Sequence, residues 1–89
     1  MRVRLYLEGY KDAQEFCRKL NYLDDDDETR MELVHSNGRY RVNAKSFLGV
    51  LLAHSEWGDN IWFESDKDLY SVIEPWINVE GSDGNYVHE

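Results

Sequence analysis

The residues Val42-Asn43-Ala44-Lys45-Ser46-Phe47-Leu48-Gly49 are the most informative chemistry in the chain. A charged strand runs out at Asn43-Ala44, a lone serine follows, and an apolar run begins. Ser46 stands where a helix N-cap belongs, its hydroxyl accepting a backbone N–H of the first turn. The other reactive side chains are scattered. His54, Glu56 and Asp59 surround Trp57 in a polar loop. That is a His–carboxylate grouping, but no nucleophile with a base at diagnostic spacing accompanies it. Trp57 is expected to plug the end of a small core or to contact a partner. Asp24, Asp25, Asp26, Asp27 and Glu28 form an acidic run. A calcium loop needs ligands at alternating positions and a turn-forming Gly, and this run has neither. It is expected to be a solvated connection that can also dock a basic partner. Cys17 is the only cysteine, so no intrachain disulfide can form, and its place on an apolar stripe predicts a buried, inert thiol. No phosphate-binding glycine loop, zinc spacing or paired catalytic motif occurs. These residues predict no enzyme, no cofactor and no metal site.

The elements that position these residues follow from periodicity. Val3, Leu5 and Leu7 alternate with Arg2, Arg4, Tyr6 and Glu8, the pattern of a strand with one buried face. Ala13, Phe16, Cys17 and Leu20 fall at i, i+3, i+4, i+7, giving an amphipathic helix of roughly ten residues. Met31–His35 and Arg39–Val42 are strands around Asn37-Gly38, a strong hairpin signal because both residues accept positive φ. Phe47, Leu48, Val50, Leu51 and Leu52 make a short helix after Ser46. Ile61 and Phe63 alternate with Asn60, Trp62 and Glu64 in a fourth strand. Ser65 is expected to cap a last helix carrying the stripe Leu69, Val72, Ile73, Trp76 and Ile77. Pro75 should kink or end that helix near Glu74, because it lacks an N–H and its ring clashes with the preceding turn.

The order strand, helix, strand, strand, helix, strand, helix (βαββαβα) predicts an α+β open-faced sandwich. Its four-stranded, mainly antiparallel sheet would carry three helices on one face and leave the other open. Residues 1–78 are expected to form one domain. Residues 79–89 have no periodicity and are expected to be a tail. Tyr6, Val34 and Trp62 point outward in these strand phases. They make either an aromatic contact patch or a surface covered by Val79, Tyr86 and Val87 of the tail. Arg2, Arg4, Arg39 and Arg41 share that outward phase and are expected to balance acidic neighbours and guard strand edges.

The chain has 89 residues and a net charge of −8, unevenly spread. Residues 1–22 and 29–50 are net basic, while 23–28 and 51–89 are net acidic. This balance argues against direct binding to a nucleic-acid backbone, where phosphate neutralisation dominates affinity. It permits a basic protein partner. The longest apolar stretch, Leu48–Ala53, is too short to span a bilayer, and no signal peptide is visible after Met1. A cytoplasmic protein with no membrane association, a monomer or weak homo-oligomer, is expected.

The segment Arg39-Tyr40-Arg41-Val42-Asn43-Ala44-Lys45-Ser46-Phe47-Leu48-Gly49-Val50-Leu51-Leu52, followed by a strand, resembles the histidine-containing phosphocarrier (HPr) family of the sugar phosphotransferase system. The wording Val-Asn-Ala-Lys-Ser is nearest the regulatory branch, which lacks the carrier histidine and serves carbon catabolite repression. The element order extends the likeness over about residues 2–77. The resemblance implies an HPr-like fold and makes Ser46 a candidate regulatory phosphosite. Lys45 would pair with the phosphate, and Phe47 and Leu48 would supply an apolar docking patch; capping alone is the other role for Ser46. The family's phosphoryl-accepting His opens the first helix ahead of Arg-Pro-Ala. Here only Gly9-Tyr10-Lys11 stands between strand and helix, and His35, His54 and His88 lie elsewhere. Phosphocarrier activity is therefore not expected.

The leading expectation is a non-catalytic regulatory or binding module acting by protein–protein contact through Lys45, Ser46, Phe47, Leu48, Leu51 and Trp57, with Tyr6 and Trp62 as further partner-binding candidates. The alternative is an acidic inhibitor or mimic of phage type. It would occupy a basic surface of a host enzyme or nucleic-acid-binding protein through residues 24–28 and the acidic residues of 51–89. A third expectation is a structural domain that oligomerises through the open sheet face.

Overall fold

A computed structural model describes residues 1–23 and 28–78. The elements run β1 (Arg2–Arg4), α1 (Tyr10–Leu23), β2 (Met31–His35), β3 (Arg41–Asn43), α2 (Phe47–Trp57), β4 (Ile61–Ser65) and α3 (Tyr70–Ile73), and a 3-10 turn over Glu74–Trp76 follows. This is the expected βαββαβα order. The four strands form one antiparallel sheet in the order β1-β4-β2-β3. The β2–β3 hairpin turns at Gly38, whose φ of 77° lies in the region glycine enters freely.

Register separates the two faces. Val3, Phe63, Leu33 and Val42 are cross-strand neighbours on the inner face, beneath the helices. Phe16 of α1 packs edge-on against Phe63 at 5.9 Å and against Trp76 at 5.4 Å between ring centroids. Ala13, Phe16, Cys17 and Leu20 are all buried, so the predicted stripe of α1 is the one the core receives. Val3, Leu5 and Leu7 are buried too. The regular ladder of β1 nevertheless stops at Arg4. Beyond it, Leu5 bridges Ile77 and the Tyr6 N–H donates to the Trp76 carbonyl at 2.8 Å, so this edge is closed by the chain following the 3-10 turn.

Three local expectations are corrected. Helix α1 has 14 residues rather than roughly ten, because it starts at Tyr10 and runs on to Leu23. The Asp12 carboxylate accepts the Glu8 N–H at 3.0 Å and ties down the approach to its first turn. Helix α2 continues to Trp57, so His54 and Trp57 lie on a helix and not in a loop. Its end comes at Gly58, with φ of 57°. Ser65 does not cap a helix. It ends β4 and its hydroxyl donates to the Lys67 carbonyl, while the Asp68 carboxylate accepts the Tyr70 N–H at 3.0 Å just before α3. The effect expected of Pro75 is present: the α-helix gives way to a 3-10 turn at Glu74. The expected tail, 79–89, lies outside the described residues.

Candidate functional site

The turn into α2 is held from three directions. The Asn43 side-chain oxygen accepts the Lys45 N–H at 2.9 Å, and the Asn43 carbonyl accepts the Ser46 N–H at 3.0 Å. The Ser46 hydroxyl accepts the Gly49 N–H at 3.2 Å, so the predicted N-cap is formed. From α1, the Asn21 side-chain amide donates to the Lys45 carbonyl at 2.9 Å, and the Cys17 thiol donates to the same oxygen at 3.3 Å. Gly49 explains itself by contact. A Cβ there would stand 3.2 Å from the Val42 Cβ and 3.3 Å from the Asn43 carbonyl oxygen. The Ser46 to Gly49 spacing is thus one device: a cap that reaches the Gly49 N–H, and a bare Cα that lets α2 seat against the end of β3.

Burial pushes the Cys17 thiol above its ordinary range, with the Asn21 amide acting in the opposite direction. A neutral, buried thiol donating to a carbonyl is the inert group that the sequence predicts.

The partner-binding candidates divide by exposure. Leu48 is 79% exposed. Phe47 and Leu51 are partly buried against the core, and Lys45 and Ser46 are half-buried. Phe47 meets Tyr10 edge-on at 5.6 Å, which brings the starts of α1 and α2 together. Tyr10 and Leu52, at 61% and 49% exposed, extend the apolar surface; sequence reasoning had assigned neither to it. For Leu52 the signal was present in the nearly unbroken apolar character of residues 47–53, too much for a helix that buries one face; for Tyr10 the sequence carried none. Trp57 is half-buried, and its ring partner is His35 at 5.6 Å, which also meets Tyr40 at 5.9 Å.

The open sheet face is not the exposed aromatic patch that strand phase suggested. Tyr6 is exposed, but Trp62 is only 8% and Val34 only 1% exposed. Trp62 and Val34 are cross-strand neighbours. The Arg2 guanidinium lies 4.3 Å over the Trp62 ring, and the Trp62 indole N–H donates to the Ser36 hydroxyl at 3.3 Å. Trp62 is thus on the predicted outward face, but it is buried there and not exposed.

Beside it lies an ion-pair network. Glu32 and Glu64 are directly opposite on β2 and β4. Arg41 reaches Glu32 at 2.9 Å and Glu64 at 3.0 Å, Arg2 reaches Glu64 at 3.3 Å, and Arg30 reaches Glu32 at 2.6 Å and Asp66 at 3.2 Å. Hydrogen bonds to Glu64 and then Glu32 raise Arg41 above its ordinary value; Arg30 is raised first by its hydrogen bond to Glu32. The expectation that Arg2 and Arg41 balance acidic neighbours describes this network. Arg4 does something else, giving two N–H groups to the Asp59 carbonyl at 3.0 and 3.1 Å.

Asp24, Asp25, Asp26 and Asp27 lie outside the described residues, and Glu28 is exposed. Among the described residues, no three metal-ligating side chains gather into a group, and no helix is long and apolar enough to cross a membrane.

Fold and surface together define a small α+β domain on a four-stranded antiparallel sheet. Compared with protein-family models, with curated proteins and with solved structures, the chain matches none.

Proposed function

We propose that this domain is a non-catalytic, HPr-like regulatory or binding module. It acts in the cytoplasm by protein–protein contact, with no phosphohistidine carrier activity. The observation that carries this reading is the outer face of α2, where Leu48 and Leu52 stand exposed one turn apart, with the exposed Tyr10 packed edge-on against the preceding residue, Phe47. Apolar side chains at such exposure lose solvent-ordered surface on docking, and contiguous patches of this kind mark contact sites. The HPr resemblance supports it further through the element order and the Lys45-Ser46 turn. Helix α1 opens on Tyr10 after Gly9, with no histidine to carry a phosphoryl group.

Ser46 is the proposed control point. A phosphate on its hydroxyl would lie at the N-terminus of an 11-residue helix, where negative charge is favoured. It would also stand beside the exposed Leu48, so that a dianion would alter what docks there.

The test is capture from source-cell lysate at low and high salt. The baits are the wild type, Leu48→Asp, Ser46→Asp and a variant neutralised over 24–28. Capture that survives high salt and charge neutralisation but is lost in Leu48→Asp supports the α2 face. Sensitivity of that capture to Ser46→Asp supports control at Ser46. Capture that ignores Leu48→Asp but vanishes with salt or with neutralisation overturns the reading in favour of an acidic inhibitor or mimic.

A further inference from the structure

Strand β3 is an edge of the sheet, and its register shows which of its backbone groups are free. The His35 N–H donates to the Tyr40 carbonyl at 2.9 Å, and the Ala44 N–H donates to the Met31 carbonyl at 3.0 Å. Residues 40, 42 and 44 therefore turn their peptide groups toward β2, and Arg41 and Asn43 turn theirs outward, away from the sheet. The Asn43 carbonyl is taken by the Ser46 N–H. Among the described residues, the Arg41 N–H, the Arg41 carbonyl and the Asn43 N–H have no backbone partner and form an unfilled ladder.

Below this edge lies a groove of about 420 Å³ between β3 and α2, with Tyr40, Val42, Leu52 and Trp57 as its apolar lining. Gly49 seats α2 against Val42 and Asn43, so the helix runs close under the edge strand. Leu52, one turn on from Leu48, then projects into the groove, where a further strand's inward side chains would land. Arg39 and Glu56 line the same groove without forming an ion pair with each other or with another described residue. The sheet is, in effect, one strand too narrow to cover α2.

We propose that an extended segment of a partner protein binds here by adding a fifth strand to β3. It would carry apolar side chains at alternate positions facing Leu52 and Trp57, and a carboxylate facing Arg39. Its backbone would fill the Arg41 and Asn43 groups; its alternating side chains would fill the groove. A helical partner laid on α2 would leave those peptide groups unpaired. This inference rests on the proposed α2 contact surface and names the mode of contact there.

The test uses two displayed decapeptide libraries, one with apolar residues at alternate positions and one with them at i, i+3 and i+4, selected on the whole protein. We expect only the alternating library to be enriched. Binding of a selected peptide should slow amide exchange at Arg41 and Asn43 at least tenfold. It should weaken at least tenfold when the peptide nitrogens facing β3 are N-methylated, and similarly in Leu52→Asp; an Arg39→Glu variant should shift selection away from carboxylates. Enrichment of the helical library alone, or a selected peptide indifferent to N-methylation, overturns strand addition while leaving α2 as a contact face. Enrichment of neither library overturns strand addition too; the lysate capture with Leu48→Asp then decides the broader reading by itself.

Discussion

At the scale of single residues, Ser46 and Gly49 carry the sharpest expectations. Replacing the N-cap serine by alanine removes an acceptor from the Gly49 N–H and should lower stability by about 1 kcal/mol, read from a denaturant midpoint at unchanged slope. Ser46→Asn should be nearly silent, since asparagine caps as well as serine does. This comparison separates loss of the cap from addition of charge in any phosphomimetic experiment. Gly49→Ala sets two effects against each other. Alanine gains about 1 kcal/mol of helix propensity over glycine. Overpacking typically loses about 1–3 kcal/mol. The Cβ would press on a strand Cβ at 3.2 Å and on a carbonyl oxygen at 3.3 Å, and that oxygen is fixed by the Ser46 N–H. Neither neighbour is the far end of a flexible side chain, so we expect a net loss on the order of 1 kcal/mol.

Cys17 makes a pH expectation at the same scale. Its thiol is raised in the fold, so the native state holds this proton more tightly than the unfolded chain does. The contribution is fully present below the unfolded thiol's pKa and is lost as pH rises through the folded value. Wild type should therefore lose stability on the alkaline side relative to Cys17→Ser, although the serine variant is less stable at neutral pH. Denaturation midpoints of the two across that window check it.

At the scale of elements, the junction of α1, β4 and the 3-10 turn matters most. Phe16, fully buried, touches both Phe63 and Trp76 edge-on. Phe16→Ala should cost about 3–5 kcal/mol, enough to unfold much of a domain this small. Element existence and type were legible from period: the stripe 13, 16, 17, 20 and the alternations at 3, 5, 7 and 61, 63 are all buried as predicted. Boundaries were not. Trp57 joined α2 because a helix continues until its backbone is stopped, here at Gly58 with positive φ. Ser65 lost the cap role because α3 begins only at Tyr70, several residues beyond the end of β4, and the Ser65 hydroxyl is spent on the Lys67 carbonyl.

For the whole molecule, the two sheet faces behave differently. The inner face is apolar and buried, and the outer face is ordered by charge. Glu64, 18% exposed at its side chain, meets both Arg2 and Arg41. Glu64→Gln should lose about 1 kcal/mol at low ionic strength, and the loss should shrink in high salt, because exposed ion pairs are weak and screened. Leu48→Asp, by contrast, alters a side chain that is 79% exposed and should shift stability by less than about 0.5 kcal/mol while abolishing capture. A folded, binding-dead variant of that kind is the signature of a surface that the fold itself does not use.

What the sequence by itself determined is the set of elements, their order and the inner face, because period and turn chemistry are local and hydrophobic burial rewards one phase of each element. It also determined the Ser46 cap, a contact made within four residues. The tertiary structure alone decided that Trp62 is covered, since its cover includes Arg2 and Ser36 from distant parts of the chain. It alone showed that the Lys45 carbonyl is held by Cys17 and Asn21, and that β3 is an open edge above Leu52. Those facts depend on which strands become neighbours, and strand neighbours are set by the packing of the whole sheet, not by the pattern within any one segment.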